Sequence, residues 1–190
     1  MAAPLSLVGF SGSLRAGSHN TALLRTVQAM LPADVTLEIL DWRDVPVFNE
    51  DLEVGEPPRP ASVTRIREAV RASDGIIIAT PEYNHGVPGG LKNLIDWLSR
   101  GPMPHGFFGI PSAILGASNG MIGTTRAQYH LRQTLVALNS PTLPAPQVLV
   151  SNADDKFTDG ALMHDATRQF VAGWIAEMAR WMRRFPKSER

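Results

Sequence analysis

Apolar residues along this 190-residue chain gather into short continuous runs that alternate with stretches of helical spacing. Leu5–Phe10, Val35–Leu40, Gly75–Ala79, Ile110–Leu115 and Val148–Val150 have the length and content of strands. Gly75–Ala79 (GIIIA) is β-branched at its centre and apolar throughout, as a strand covered on both faces must be. Between the runs, Thr21–Leu31 reads as a helix, and Val63, Ile66, Ala69 and Val70 repeat at helical spacing. Leu91, Leu94, Ile95 and Leu98 mark a third helix, and Leu131, Leu135 and Leu138 a fourth. The last helix carries Phe170, Val171, Trp174, Ile175, Met178, Trp181 and Met182 on one broad face, so its two tryptophans are expected in the core. Strict alternation predicts an α/β domain over residues 1–190, with one parallel sheet and helices on both faces. Asp41–Pro60, with Pro57, Pro58 and Pro60, is the longest irregular stretch and reads as a rigid connector or the rim of a site.

Such sheets bind ligands beyond the carboxyl ends of their strands, where strand order reverses. The loops after strands one, three and four are therefore where chemistry is expected. The first, Ser11–Asn20, offers Gly12 and Gly17 for curvature, hydroxyls at Ser11, Ser13 and Ser18, the Asn20 amide, His19 and the Arg15 guanidinium. A helix N-terminus follows, which makes an anion site. One cap needs one such residue, so the surplus points to a ligand. Neither G-x-G-x-x-G nor G-x-x-x-x-G-K-[ST] is present, and a terminal phosphate monoester suits a set rich in hydroxyl and amide donors. The second loop, Thr80–Gly90, mixes two prolines with three glycines. Its backbone can approach a flat ring closely, with Tyr83 stacking or lining the pocket.

The third loop, Gly116–Gly120, supplies a rival. It matches G-x-S-x-G, the nucleophile elbow, and Asp154 or Asp155 and then His164 follow in the order used by α/β-hydrolases. A serine esterase acting through Ser118 is the alternative. Against it, the first two loops go unexplained and no HGGG-type oxyanion segment is present.

Composition narrows the chemistry further. The chain is 44% hydrophobic and 19% charged, and 18 Lys plus Arg balance 18 Asp plus Glu. Neither nucleic acid nor a membrane surface is expected as a partner. A basic cluster at Arg180, Arg183, Arg184, Lys187 and Arg190 complements the end of a helix dipole. No cysteine is present, which excludes thiol redox chemistry, iron–sulfur clusters and thiolate zinc sites. His19, His85, His105, His130 and His164 form no i, i+4 pair, so no metal site is expected. Any redox function then rests on an organic cofactor or an oxygen- or nitrogen-ligated metal. No apolar run is long enough to span a bilayer and no signal stretch precedes the first strand, so a cytoplasmic location is expected.

The motifs resemble the NADPH-dependent FMN reductase family, with its chromate-, quinone- and azo-reducing members. The family's G-S-L-R-x-x-S-x-N stands here as Gly12-Ser13-Leu14-Arg15, Ser18 and Asn20. Its P-E-Y-N-x-x-x-P-G-x-L-K-N-x-x-x-W stands as Pro81-Glu82-Tyr83-Asn84, Pro88-Gly89, Leu91-Lys92-Asn93 and Trp97. A looser match is Gly116-Ala117-Ser118 with Arg126-Ala127-Gln128 beyond. The resemblance implies a flavodoxin-like three-layer sandwich with strand order 2-1-3-4-5, FMN as cofactor and NADPH or NADH as donor. By position, Ser13, Arg15, Ser18 and Asn20, with His19 among them, would hold the FMN phosphate. Pro81, Glu82, Tyr83 and Asn84 would contact the isoalloxazine ring largely through backbone, and Ser118 would lie near its other side. Gly120-Met121-Ile122-Gly123 departs from the family, which often has more glycine there. Hydride would pass from nicotinamide to flavin and on to a small acceptor (quinone, azo compound, chromate or free flavin), with no obligatory acid–base residue. The family's habit of pairing subunits implies a homodimer or homotetramer. A flavodoxin-type electron carrier is the non-enzymatic alternative; such carriers usually present a strongly acidic docking face, and zero net charge speaks against one.

Overall fold

Strands that are apolar on both faces need cover on both sides, and alternation with helices provides it. The computed structural model describes residues 3–54, 59–101 and 104–189. It runs β1 (Leu5–Ser11), α1 (His19–Ala29), β2 (Val35–Ile39), α2 (Ala61–Ala72), β3 (Gly75–Ala79), α3 (Gly89–Leu98), β4 (Ser112–Ala117), α4 (Thr125–Ala137) and β5 (Val148–Val150). A small hairpin, β6 (Phe157–Thr158) and β7 (Ala161–Leu162), precedes α5 (Asp165–Met182). Pro57, Pro58 and Arg190 lie outside the described residues.

The five long-range strands pair in parallel in the order β2-β1-β3-β4-β5, the flavodoxin-like order expected. Ser11 stands in register with Ala79, and Ala79 with Leu115, so β1, β3 and β4 end at one edge. Alternation sorts the core. Leu7, Ile77, Ala113 and Leu115 face α1 and α5, where Leu23, Val27, Trp174 and Met178 are buried. Val8, Phe10, Ile76, Ile78 and Ile114 face α2, α3 and α4, where Ile66, Val70, Leu91, Leu94 and Leu131 are buried. Each of the leucines, isoleucines, valines and Phe10 contributes about 1.5–3 kcal/mol on burial, and a one-residue slip of β3 would exchange one set for the other.

Three local outcomes differ from the apolar pattern. β4 starts at Ser112 because Pro111 has no N–H for the ladder and contributes only its carbonyl, to Ile76. α1 starts two residues early because Ser18 caps it, accepting from the Thr21 N–H. The β6–β7 hairpin turns on Asp159 (φ 49°) and Gly160 (φ 76°), an Asp-Gly signal flanked by strands too short to form an apolar run.

The connector after β2 is tied down rather than loose. Asn93 accepts from the Phe48 N–H and donates to the Pro46 carbonyl, and Trp97 Nε1 donates to the same carbonyl. Arg100 pairs with Glu50 and Glu53 on a short 3-10 turn, Glu50–Glu53. Trp97 is thus a fully buried core residue and a tether as well. Trp174 is buried as expected, while Trp181 is only partly buried and donates to the Pro141 carbonyl. No helix among the described residues is long and apolar enough to cross a membrane.

Candidate active site

Two glycines let the three loops meet. A Cβ on Gly12 would lie 3.0 Å from side-chain atoms of Leu91 and Pro81, and the Gly12 N–H donates to the Ala79 carbonyl at 2.7 Å. A side chain there would crowd both neighbours by a few tenths of an ångström, so glycine eases the close approach of the first loop to the second. A Cβ on Gly116 would collide with the Thr124 hydroxyl and the Thr80 carbonyl oxygen, so the third loop approaches the second under the same condition.

In the first loop, Ser13 and Ser18 are buried. Ser13 Oγ lies 3.4 Å from the Arg15 N–H and 3.4 Å from the Tyr83 hydroxyl, a link to the second loop. Ser18 Oγ accepts from the Thr21 N–H at 3.2 Å. Both oxygens act as acceptors there, which leaves each hydroxyl proton to donate. The N–H groups of His19 and Asn20, at the start of α1, take no partner among the described residues, as the first turn of a helix requires. Arg15 is exposed and forms no ion pair among the described residues. Hydroxyls, helix-end N–H groups and a guanidinium form the donor set a phosphate dianion needs.

Two residues carried over as phosphate ligands have side chains engaged elsewhere. The buried Asn20 donates through Nδ2 to the Ala117 carbonyl and accepts at Oδ1 from the Ala117 N–H, both at 2.9 Å. Its amide bolts the first loop to the end of β4. His19 Nε2 meets Asp154 Oδ1 at 2.8 Å, and its ring packs on Phe157 at 5.0 Å. Asp154 also accepts from Asn119 Nδ2 at 2.7 Å, and its N–H donates to Asn119 Oδ1 at 3.0 Å. The imidazole therefore joins the first loop to the third and to the segment after β5.

The second loop makes a tight turn. Tyr83 and Gly86 exchange both backbone hydrogen bonds, at 3.1 and 3.0 Å, with Asn84 and His85 at φ 49° and 64°. This is a type I′ turn, which fits two residues in the left-handed region. The N–H groups of Asn84 and His85 take no partner among the described residues. Pro81 packs toward Gly12, and Tyr83 is half exposed. The Glu82 carboxylate accepts from the N–H groups of Arg126 at 2.9 Å and Ala127 at 3.1 Å, and faces the Arg126 guanidinium at 3.4 Å. It caps α4, whose preceding residue Thr124 supplies no side-chain cap, and a carboxylate there complements the dipole.

The third loop settles the esterase alternative on geometry. Ser118 Oγ donates to the Gly123 carbonyl at 2.7 Å and accepts from the Gly120 N–H at 3.1 Å. His164 caps α5, its Nδ1 accepting from the Thr167 N–H at 3.3 Å. Asp154 is held by His19 and Asn119. No histidine activates Ser118, which staples the loop instead. Met121 and Ile122 are exposed at the position where the family pattern carries more glycine.

A sequence profile described as NADPH-dependent FMN reductase matches residues 5–155. An NAD(P)H-dependent FMN reductase from Pseudomonas aeruginosa is 44% identical over 186 residues, covering 97% of this chain and 98% of that one. A quinone reductase from Escherichia coli K12 is 38% identical over 188 residues, again covering 97% and 98%. Among solved structures, the flavoenzyme NAD(P)H:(acceptor) oxidoreductase FerB from Paracoccus denitrificans superposes with a TM-score of 0.86 at 29% identity, covering 96% of this chain and 99% of that one. Converging loops, an anion-ready first loop and these relatives agree: the chain belongs to the NADPH-dependent FMN reductase family, flavin-dependent oxidoreductases that draw electrons from NAD(P)H.

Proposed function

We propose that residues 1–190 form a single FMN-binding domain that takes hydride from NADPH or NADH and delivers it to a small acceptor, a quinone foremost. The observation that carries this reading is the convergence of three loops at one sheet edge with donors left unspent. Ser13, Ser18, Arg15 and the N–H groups of His19 and Asn20 would hold the phosphate. The backbone of Pro81–Asn84, with the N–H groups of Asn84 and His85, would run along the isoalloxazine ring, and the Ser118 loop would bound it on the other side. The side chains of His19, Asn20, Glu82 and Ser118 act as positioning groups, holding the three loops at fixed separation.

When bound, FMN supplies the hydride-accepting N5. The chain's part is to bind and orient it and to leave one ring face open. Backbone N–H groups of the second loop, those of Asn84 and His85, would favour negative charge on a ring held there. Donor and acceptor would bind over that face in turn, which gives ping-pong kinetics. Quinone is favoured as acceptor because relatives at 36–38% identity carry that name. The reading includes a cytoplasmic location, and the family's habit of pairing subunits supports a homodimer or homotetramer.

The test is an absorption spectrum of purified protein after FMN addition and desalting, followed by anaerobic NADPH or NADH and then benzoquinone. A retained flavin band that bleaches with nucleotide and returns with quinone is expected. Protein that retains no flavin refutes the reading. An Arg15→Ala, Ser18→Ala double variant should weaken FMN binding while leaving riboflavin binding nearly unchanged.

A further inference from the structure

On the β2 side of the first loop a cavity of about 370 Å³ opens, sharing Ser13 and Arg15 with the flavin-phosphate site proposed above. Ser13 and Arg15 form one wall, the α1 face bearing Thr21, Arg25 and Gln28 forms the second, and Asp41, Trp42 and Arg43 at the end of β2 form the third. Two arginines from separate segments, Arg25 and Arg43, therefore meet around one space with one carboxylate, and Arg15, which the flavin reading spends on the FMN phosphate, closes its near edge. Arg15 and Arg25 form no ion pair among the described residues. Arg43 spends its Nε on Asp41, at 2.9 Å, and its two terminal nitrogens take no partner among the described residues. The Arg43 backbone N–H and then its side chain hold the Asp41 carboxyl below the usual carboxylate range, so Asp41 stays a hydrogen-bond acceptor. The walls are fixed: Trp42 Nε1 donates to the Ser11 carbonyl at 2.9 Å, and a Cβ on Gly90 would meet the Trp42 ring at 3.0 Å.

We propose that this pocket receives the 2′-phosphate-bearing adenosine end of the nucleotide donor and so gives the enzyme a preference for NADPH over NADH. The proposal rests on the NAD(P)H oxidoreductase reading above and adds a site to it. The cavity is nucleoside-sized, whereas a lone phosphate needs far less space; small-molecule pockets start at about 300 Å³. Its surplus of guanidinium groups suits a phosphate monoester, which arginine grips through paired N–H donors. Asp41 is the acceptor available to a ribose hydroxyl. In dinucleotide-binding sheets the end of the second strand does the same work, with an acid for ribose hydroxyls or an arginine for a 2′-phosphate. The position beside the phosphate loop places the adenosine end at the same sheet edge as the flavin.

The test uses FMN-loaded protein and an Arg25→Gln, Arg43→Gln double variant, with Arg15 left intact because the flavin reading also uses it. Wild-type protein should bind 2′,5′-ADP about tenfold or more tighter than 5′-ADP in calorimetric titration, and the variant should bind the two alike. The ratio of kcat/KM for NADPH to that for NADH should fall by a similar factor, with flavin content unchanged. Equal binding of the two probes by wild-type protein overturns the proposal. So does an unchanged ratio, or a loss of FMN from the variant, which would assign the pocket to the flavin phosphate. If the double variant fails to fold, Arg25→Glu on the exposed face of α1 must lower the same ratio. Wild-type protein that retains no FMN refutes the reductase reading instead, and the two titrations on flavin-free protein then decide the pocket alone.

Discussion

Replacing Asn20 by alanine separates a ligand from a strut. Were its amide a phosphate ligand, the flavin-free protein would lose little stability and FMN would bind weakly. The structure has that amide hydrogen-bonded twice to Ala117, at 2.9 Å each, with both residues buried. Alanine removes two bonds worth about 1 kcal/mol each and strands a buried N–H and a buried carbonyl, so the expected loss is about 2–4 kcal/mol. For a chain of this length each kcal/mol moves the midpoint by about 2–4 °C, so Tm should fall by about 5–15 °C without any flavin. Asn20→Asp sharpens the test. Its carboxylate still accepts from the Ala117 N–H but opposes the Ala117 carbonyl, whereas the protonated acid restores both bonds. Burial and that carbonyl raise the folded-state pKa above the unfolded value of about 3.9. The folded state then holds the proton more tightly, so stability is full below pH 4 or so and falls as pH rises through the folded pKa. The assay is thermal unfolding of flavin-free protein by circular dichroism from pH 4 to 8. A flavin-free Asn20→Ala protein as stable as wild type would refute the reasoning.

Three further outcomes follow from the same geometry. Glu82→Ala removes the cap from α4 and should cost about 2 kcal/mol in urea unfolding, with Glu82→Gln costing about half as much because a neutral acceptor remains; equal effects would deny the charge a role. Gly116→Ala forces a methyl group into the Thr80 carbonyl and Thr124 hydroxyl, so a loss of about 3 kcal/mol or more is expected, and wild-type stability would contradict the packing. Burial, and then the Arg67 charge, hold the His105 imidazole below its usual pKa, and its Nδ1 accepts from the Phe107 N–H. The unfolded state therefore binds the extra proton first, so stability should decline as pH falls below about 6.5, and His105→Asn should flatten that decline in pH-resolved melting.

Much of the fold was legible in the chain. Burial on both faces of a parallel sheet demands uninterrupted apolar runs such as GIIIA, and helical spacing marks what covers them. Those are local properties, readable within ten residues. The shift of β4 to Ser112 and the β6–β7 hairpin follow equally local chemistry, a proline without an N–H and an Asp-Gly turn. The donors of Ser13, Ser18 and Arg15 and the positive-φ turn at Asn84 and His85 lie in the two motifs that drew attention to the loops.

What those residues bond to was not legible, because the partners come from afar. Asn20 reaches Ala117 across 97 positions, Glu82 reaches Arg126 across 44, and His19 reaches Asp154 across 135. A polar side chain satisfies whichever group the fold brings near it, and at these sites that group is backbone or a third loop rather than a ligand. Ser118 shows the same limit from the other direction, since five residues matching a nucleophile elbow say nothing about whether a histidine stands beside the hydroxyl. By itself the sequence determined the alternation of elements and which loops carry donors, since periodicity and residue chemistry belong to the chain. Only tertiary structure decided which donors remain unspent and that Arg15, Arg25 and Arg43 surround one cavity, because both depend on where distant segments come to rest.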